Sequence, residues 1–224
     1  MNRLSITYRH FSFKLNASIL GCLVLFLFSN CSDTPSDLST YGKWFNQEHG
    51  YINEKFINKL SFRVQYKPIE LMMLRELEAN TAYSKEEIEN LRESFGSSLY
   101  FLLEIAFDER AETINEDLLR ITAKDYNAFA ENVKHFAFNM ESAVELSING
   151  ATIVPVIYHY ERGFELGKKQ RFLFAFQPPE SINKEEVTFV FYDDIFKTGK
   201  NNFKFKVINE EVPPLPIDYK NESV

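Results

Sequence analysis

The stretch Leu60-Ser61-Phe62-Arg63-Val64-Gln65-Tyr66-Lys67 decides the fold. Its apolar residues Leu60, Phe62, Val64 and Tyr66 alternate with polar Ser61, Arg63, Gln65 and Lys67. A period of two is the signature of a strand with one face on a core and the other toward water. Pro68 then suits the first turn of a helix in which Ile69, Met72, Met73 and Leu77 recur at three-to-four spacing. Ser84 with Glu87 forms a capping box ahead of Ile88, Leu91 and Phe95, and Gly96 stops that helix. A second strand follows over 99–107, with Leu99, Phe101, Leu103, Ile105 and Phe107 on one face.

Farther along, Thr122 with Asp125 repeats the capping-box spacing before Tyr126, Phe129 and Val133, which predicts a third helix to about residue 134. From there the chain reads as strands at 136–140, 143–148, 152–160, 171–176, 187–192 and 203–208. Turn residues separate them at Asn149-Gly150, Gly163, Pro178-Pro179 and Gly199. Phe172, Phe174 and Phe176 share one face while Leu173 and Ala175 fill the other, so this strand is expected to be central. Phe203, Phe205 and Val207 alternate with Lys204 and Lys206, so that one is expected at the periphery. The segment Val212 to Pro216 cannot extend a ladder and reads as an extended tail. Tyr41, Trp44 and Phe45 open the folded part and read as a strand or turn capping the core, with an exposed binding platform at Trp44 as the functional alternative. The expected fold is β-rich α+β, an immunoglobulin-like β-sandwich with two or three inserted helices. It occupies one domain over 41–218, since no hinge-like linker near 134 separates a small α/β unit from a sandwich.

Residues before the domain carry a different signal. Arg3, Arg9 and Lys14 form a basic start with no acidic residue before Asp33, and Ile19 to Phe28 is an unbroken non-polar run. That run is shorter than the roughly 20 apolar residues a spanning helix needs. Leu27, Phe28, Ser29 and Asn30 lead into Cys31; Cys22 follows a better-matched Ile19-Leu20-Gly21 but lies inside the run. The stretch resembles a bacterial lipoprotein precursor, in which signal peptidase II cuts before a diacylglyceryl-modified Cys. The polar Ser32 to Asp37 segment looks like the tether of Bacteroidota lipoproteins. The resemblance implies a signal peptide over 1–30, lipidation of Cys31, a flexible tether over 31–40 and an outer-membrane anchor facing the periplasm or the cell surface. Phe28 and Asn30 depart from the commonest residues of the motif.

Composition narrows the chemistry. Three of the 25 Lys and Arg residues, and none of the 32 Asp and Glu, lie in the leader, so the remainder is net acidic by ten. Nucleic acid and anionic headgroups are therefore poor partners. With Cys31 acylated and Cys22 removed, neither of the two cysteines supplies a thiol, which excludes disulfides, thiolate catalysis and cysteine-type zinc sites.

No glycine-rich phosphate loop, Gly-x-Ser-x-Gly elbow or His-Glu-x-x-His helix occurs. His49, His135 and His159 are too far apart in sequence to form a local metal motif. Tyr158-His159-Tyr160-Glu161-Arg162 is the densest polar cluster; alternation puts His159 and Glu161 on one face, where a structural pair is the plainer reading than acid-base catalysis. Asp193 and Asp194 offer oxygen ligands for Ca²⁺, but an EF-hand loop is missing and a turn role suffices. Asp108, Glu109, Arg110 and Glu112, like Lys184, Glu185 and Glu186, read as solvated loop charges. No metal or other cofactor is expected. The reading is a non-enzymatic envelope lipoprotein that binds a protein or glycan partner or supports an assembly; the alternative is an envelope hydrolase with an unrecognised carboxylate site.

Overall fold

The apolar alternation of the chain is spent on two sheets that face each other. The computed structural model describes residues 35–47, 49–108, 110, 117–161, 167–179, 186–206 and 212–220. The leader, Cys31, Arg162, Gly163, Glu109, Glu112, Lys184, Glu185, Val207 and Ile208 lie outside the described residues. The fold is α+β and β-rich. Its elements are helix α1 (Leu38–Trp44), strands β1 (Ile52–Ile57) and β2 (Leu60–Lys67), helix α2 (Ile69–Met73), strand β3 (Ala82–Tyr83), helix α3 (Lys85–Phe95), strand β4 (Leu99–Phe107), helix α4 (Tyr126–Phe138), a 3₁₀ turn (Met140–Ala143) and strands β5 (Val144–Ile148), β6 (Ala151–Ile153), β7 (Ile157–Glu161), β8 (Lys169–Phe176), β9 (Val187–Asp193), β10 (Gly199–Phe205) and β11 (Asp218–Tyr219).

One sheet runs β1-β2-β4-β8-β7 and the other β10-β9-β5-β6, with β3 and β11 forming a short parallel pair apart from both. Every pairing within the two larger sheets is antiparallel. Their inner faces meet through aromatic rings: Phe101 of β4 lies 5.5 Å from Phe189 and 5.3 Å from Phe205, and Phe174 of β8 lies 6.0 Å from Phe189. Such offset and edge-on ring pairs add to the area term that dominates a core of this kind. On the β1/β10 side the sheets are tied together, Asn53 donating to the Lys204 carbonyl at 3.2 Å while the Lys55 ammonium sits over the Phe203 ring. Phe136 of α4 enters the same core, 5.0 Å from Phe172. A satellite cluster of Met73, Leu77 and Ile88 packs α2 against α3.

Several sequence readings hold. Ser84 and Glu87 cap α3 reciprocally and Gly96 ends it; β4 covers 99–107; β8 is internal to its sheet with Phe172, Phe174 and Phe176 fully buried; β10 lies at an edge. Asn149 and Gly150 both take positive φ, as a primed turn needs.

Others are corrected. Tyr41, Trp44 and Phe45 belong to α1 and its C-cap, not to a strand, because Asp37 and Thr40 form a capping box that starts a helix. Residues 38–40, read as tether, are its first turn. Ser39 and Thr40 donate to the Asp37 carboxylate and hold its pKa down to about 2. The N-cap of α4 is Asp125, which accepts from the Ala128 amide, while Thr122 accepts from Asn132 instead. Residues 136–138, read as strand, continue α4, and Met140 starts the 3₁₀ turn. The single strand expected over 152–160 is two strands in different sheets, broken at Pro155, which cannot donate to a ladder. Strand β1 was not anticipated. It is joined to β2 by Asn58 and Lys59, both at positive φ without a glycine.

Candidate functional site

The outer face of the five-stranded sheet carries the polar halves of the alternating strands, and register brings them into rows. Glu54 of β1 stands opposite Arg63 of β2, Arg63 opposite Glu104 of β4, Glu104 opposite Arg171 of β8, and Arg171 opposite Glu161 of β7. The result is a row of alternating charge across all five strands. Directly opposed side chains in a sheet lie within reach of one another, so each charge in the row sits beside one of opposite sign. Arg171 donates to Glu104 at 2.6 Å, and Arg75, beyond α2, closes the far end by donating to Glu161 at 2.7 Å. At the near end Ser61 donates to Glu54.

The neighbouring row explains why a hollow forms there. It runs Phe56, Ser61, Ala106, Lys169 across β1, β2, β4 and β8. Two small residues lie between two large ones, so Ser61 and Ala106 make a floor and Phe56 and Lys169 make walls. Glu54, Arg63 and Glu104 line one flank; Phe107, Asp108 and Arg110 line the other. The depression has a volume of about 300 Å³. Phe56 is 46% exposed, and the Arg110 guanidinium lies 3.6 Å from its ring centroid while bonding Asp108 through two nitrogens. That pair of hydrogen bonds from Arg110 keeps the Asp108 carboxyl below its ordinary range.

A second hollow of about 330 Å³ lies between α4 and the β7/β8 pair, lined by Asp117, Leu119, Phe129, Val133, Tyr160, Gly167 and Gln170. Its polar groups are already engaged: Tyr160 donates to Gln170, Gln170 donates to the Gly167 carbonyl, and Asp117 accepts from the Leu119 amide.

Of the residues singled out from sequence, His159, Glu161, Asp108 and Arg110 belong to this face and the others lie elsewhere. Trp44 is half-buried, stacked on His49 at 3.9 Å and set edge-on to Phe45 at 4.9 Å. His159 is exposed on the outer face and stands opposite Leu173, while Glu161 joins the charge row through Arg75 and Arg171. Alternation does place these two on one face, with Tyr158 and Tyr160 turned inward onto Phe174 and Phe172. His135 lies on α4, its pKa lowered chiefly by burial. Among the described residues no group of three or more His, Cys, Asp and Glu is placed to hold a metal ion. Asp193 takes four hydrogen bonds, from the amides of Ile195, Phe196 and Thr198 and from the Thr198 hydroxyl, and so organises the β9–β10 loop; Asp194 beside it is exposed. The Asp108 and Glu186 charges pair locally, with Arg110 and Lys204.

Comparison of the chain with protein-family models, with curated proteins and with solved structures found no match.

Proposed function

We propose that the chain is a non-enzymatic envelope lipoprotein, tethered through Cys31, whose five-stranded sheet presents its outer face to a protein or glycan partner. One observation carries the reading: the depression floored by Ser61 and Ala106, open on a face whose charges are ordered by register. Concave sites with a few convergent polar groups are the usual seats of ligands. The anchor rests on the leader sequence, and among the described residues no helix is long and apolar enough to cross a membrane. The two facing sheets fit a β-sandwich of immunoglobulin-like character, a fold that displays sheet faces but prescribes no activity. The acidic balance argues against nucleic acid as the partner.

Passing envelope extract over the immobilised full-length protein tests this. The wild type retains a specific component, and Ala106→Phe, which fills the depression, does not.

The hydrolase reading has one observation in its favour, since Glu54 and Glu104 line the same depression. Both carboxylates are already engaged, Glu54 with Ser61 and Glu104 with Arg171, which suits holding a ligand better than transferring protons. Turnover of an envelope polymer that Glu54→Gln and Glu104→Gln each abolish decides for the hydrolase.

A further inference from the structure

We infer that the ligand of this face is a neutral saccharide chain lying across the strands, seated by one ring in the depression beside Phe56. The inference rests on the outer face being the binding surface and specifies what binds there.

Charge order is the first argument. Along the row Glu54, Arg63, Glu104, Arg171, Glu161 and Arg75, the sign changes at every step. A polyanion would meet a carboxylate at every second strand, and a polycation a guanidinium. A hydroxyl both donates and accepts, so a polyhydroxylated neutral chain can use the carboxylate lone pairs and guanidinium N–H groups that the row's own pairs leave over. Charged partners also give the stronger hydrogen bonds, and a guanidinium fork matches two neighbouring hydroxyls.

Spacing is the second. Neighbouring strands lie about 4.8 Å apart, so the row repeats at nearly the advance per ring of an extended pyranose chain. The third is the depression. Its volume of about 300 Å³ admits a sugar ring. Phe56 carries the Arg110 guanidinium over one ring face and, 46% exposed, offers its remaining aromatic surface to that ring. On the opposite wall Lys169 adds an ammonium to the lining.

The test is calorimetric titration of the full-length protein in detergent with neutral oligomers of glucose, mannose and N-acetylglucosamine, and with uronate oligomers for contrast. At least one neutral series binds, with affinity that rises with chain length until the row is spanned. Between about 50 and 500 mM salt its affinity changes by no more than about twofold, because a neutral ligand displaces no counterions. Ala106→Phe and Phe56→Ala each weaken binding by about tenfold or more while still melting cooperatively. Absence of binding to every neutral series overturns the inference. Binding of uronates alone, with steep salt dependence, also overturns it but leaves the face standing as the site, as does retention of a protein from extract that Ala106→Phe abolishes. Saccharide binding untouched by both substitutions places the sugar elsewhere and overturns inference and site together.

Discussion

Arg171 on β8 donates to Glu104 on β4 at 2.6 Å, a contact between directly opposed residues that links the middle of the charge row. The Glu104 side chain is 12% exposed and that of Arg171 47%, so the carboxylate is the more desolvated partner while solvent screens the guanidinium. A double-mutant cycle on Glu104→Ala and Arg171→Ala is expected to give a coupling of about 1 kcal/mol in denaturant unfolding, weakening with salt. Coupling indistinguishable from zero would show that the two side chains meet without stabilising the sheet.

Asp193 is almost wholly buried and its two oxygens accept four hydrogen bonds from the loop that follows β9. Asp193→Ala strands those donors and should cost about 2–3 kcal/mol, and Asp193→Asn less, because its amide oxygen still accepts. The wild-type melting midpoint should be the same with and without EDTA. A fall of several degrees on chelation would contradict the metal-free reading and point to a metal at Asp193, Asp194 or the histidines.

Lys67 stands at the end of β2, on the strand face that carries Arg63. Burial, and then the Arg75 guanidinium, pull its pKa down to about 8 from 10.5, with Glu161 acting in the other direction and Arg63 and Arg171 adding to the fall. Between these values the unfolded chain holds a proton that the folded chain has released, so stability rises with pH across this window. Tyr41 and Tyr66, pushed up mainly by burial, reverse the trend above their ordinary value of 10, where only the unfolded chain ionises. Melting midpoints should therefore climb from about pH 8 to about pH 10 in the wild type and climb less in Lys67→Met. Equal slopes in the two proteins would refute this account of Lys67.

What the sequence disclosed was local. The Ser84 box, the β4 alternation and the Asn149-Gly150 turn were legible because each signal lies within a few residues of the structure it produces. Strand β1 was missed because Asn53, Glu54 and Lys55 interrupt its apolar pattern and its turn lacks glycine. The break at Pro155 was masked by the apolar residues around it, although proline itself was the signal. Of the candidate site, the polar face of β2 and the separate charges Asp108, Arg110 and Glu161 were legible, but not their convergence. Glu54, Arg63, Glu104 and Arg171 are far apart in the chain, and only strand order and register make them neighbours. Trp44 drew attention as the single tryptophan, yet helical spacing turns it toward Phe45 and Tyr51.

The anchor makes a separate prediction. Cys31→Ser should abolish incorporation of a labelled fatty acid and release the protein from membranes, whereas Cys22→Ser should leave both unchanged, because Cys31 alone follows the apolar run. Label persisting in Cys31→Ser contradicts the assignment.

The central claim, that the outer face near Phe56 meets the partner, is tested most directly by photo-crosslinking in intact cells with a photoreactive phenylalanine at one position at a time. Phe56 borders the depression, Tyr126 is a more exposed aromatic on α4, and Trp44 is the aromatic proposed from sequence. Position 56 should give a discrete adduct that Ala106→Phe suppresses, and positions 126 and 44 none. An adduct from 44 or 126 with none from 56 would contradict the claim.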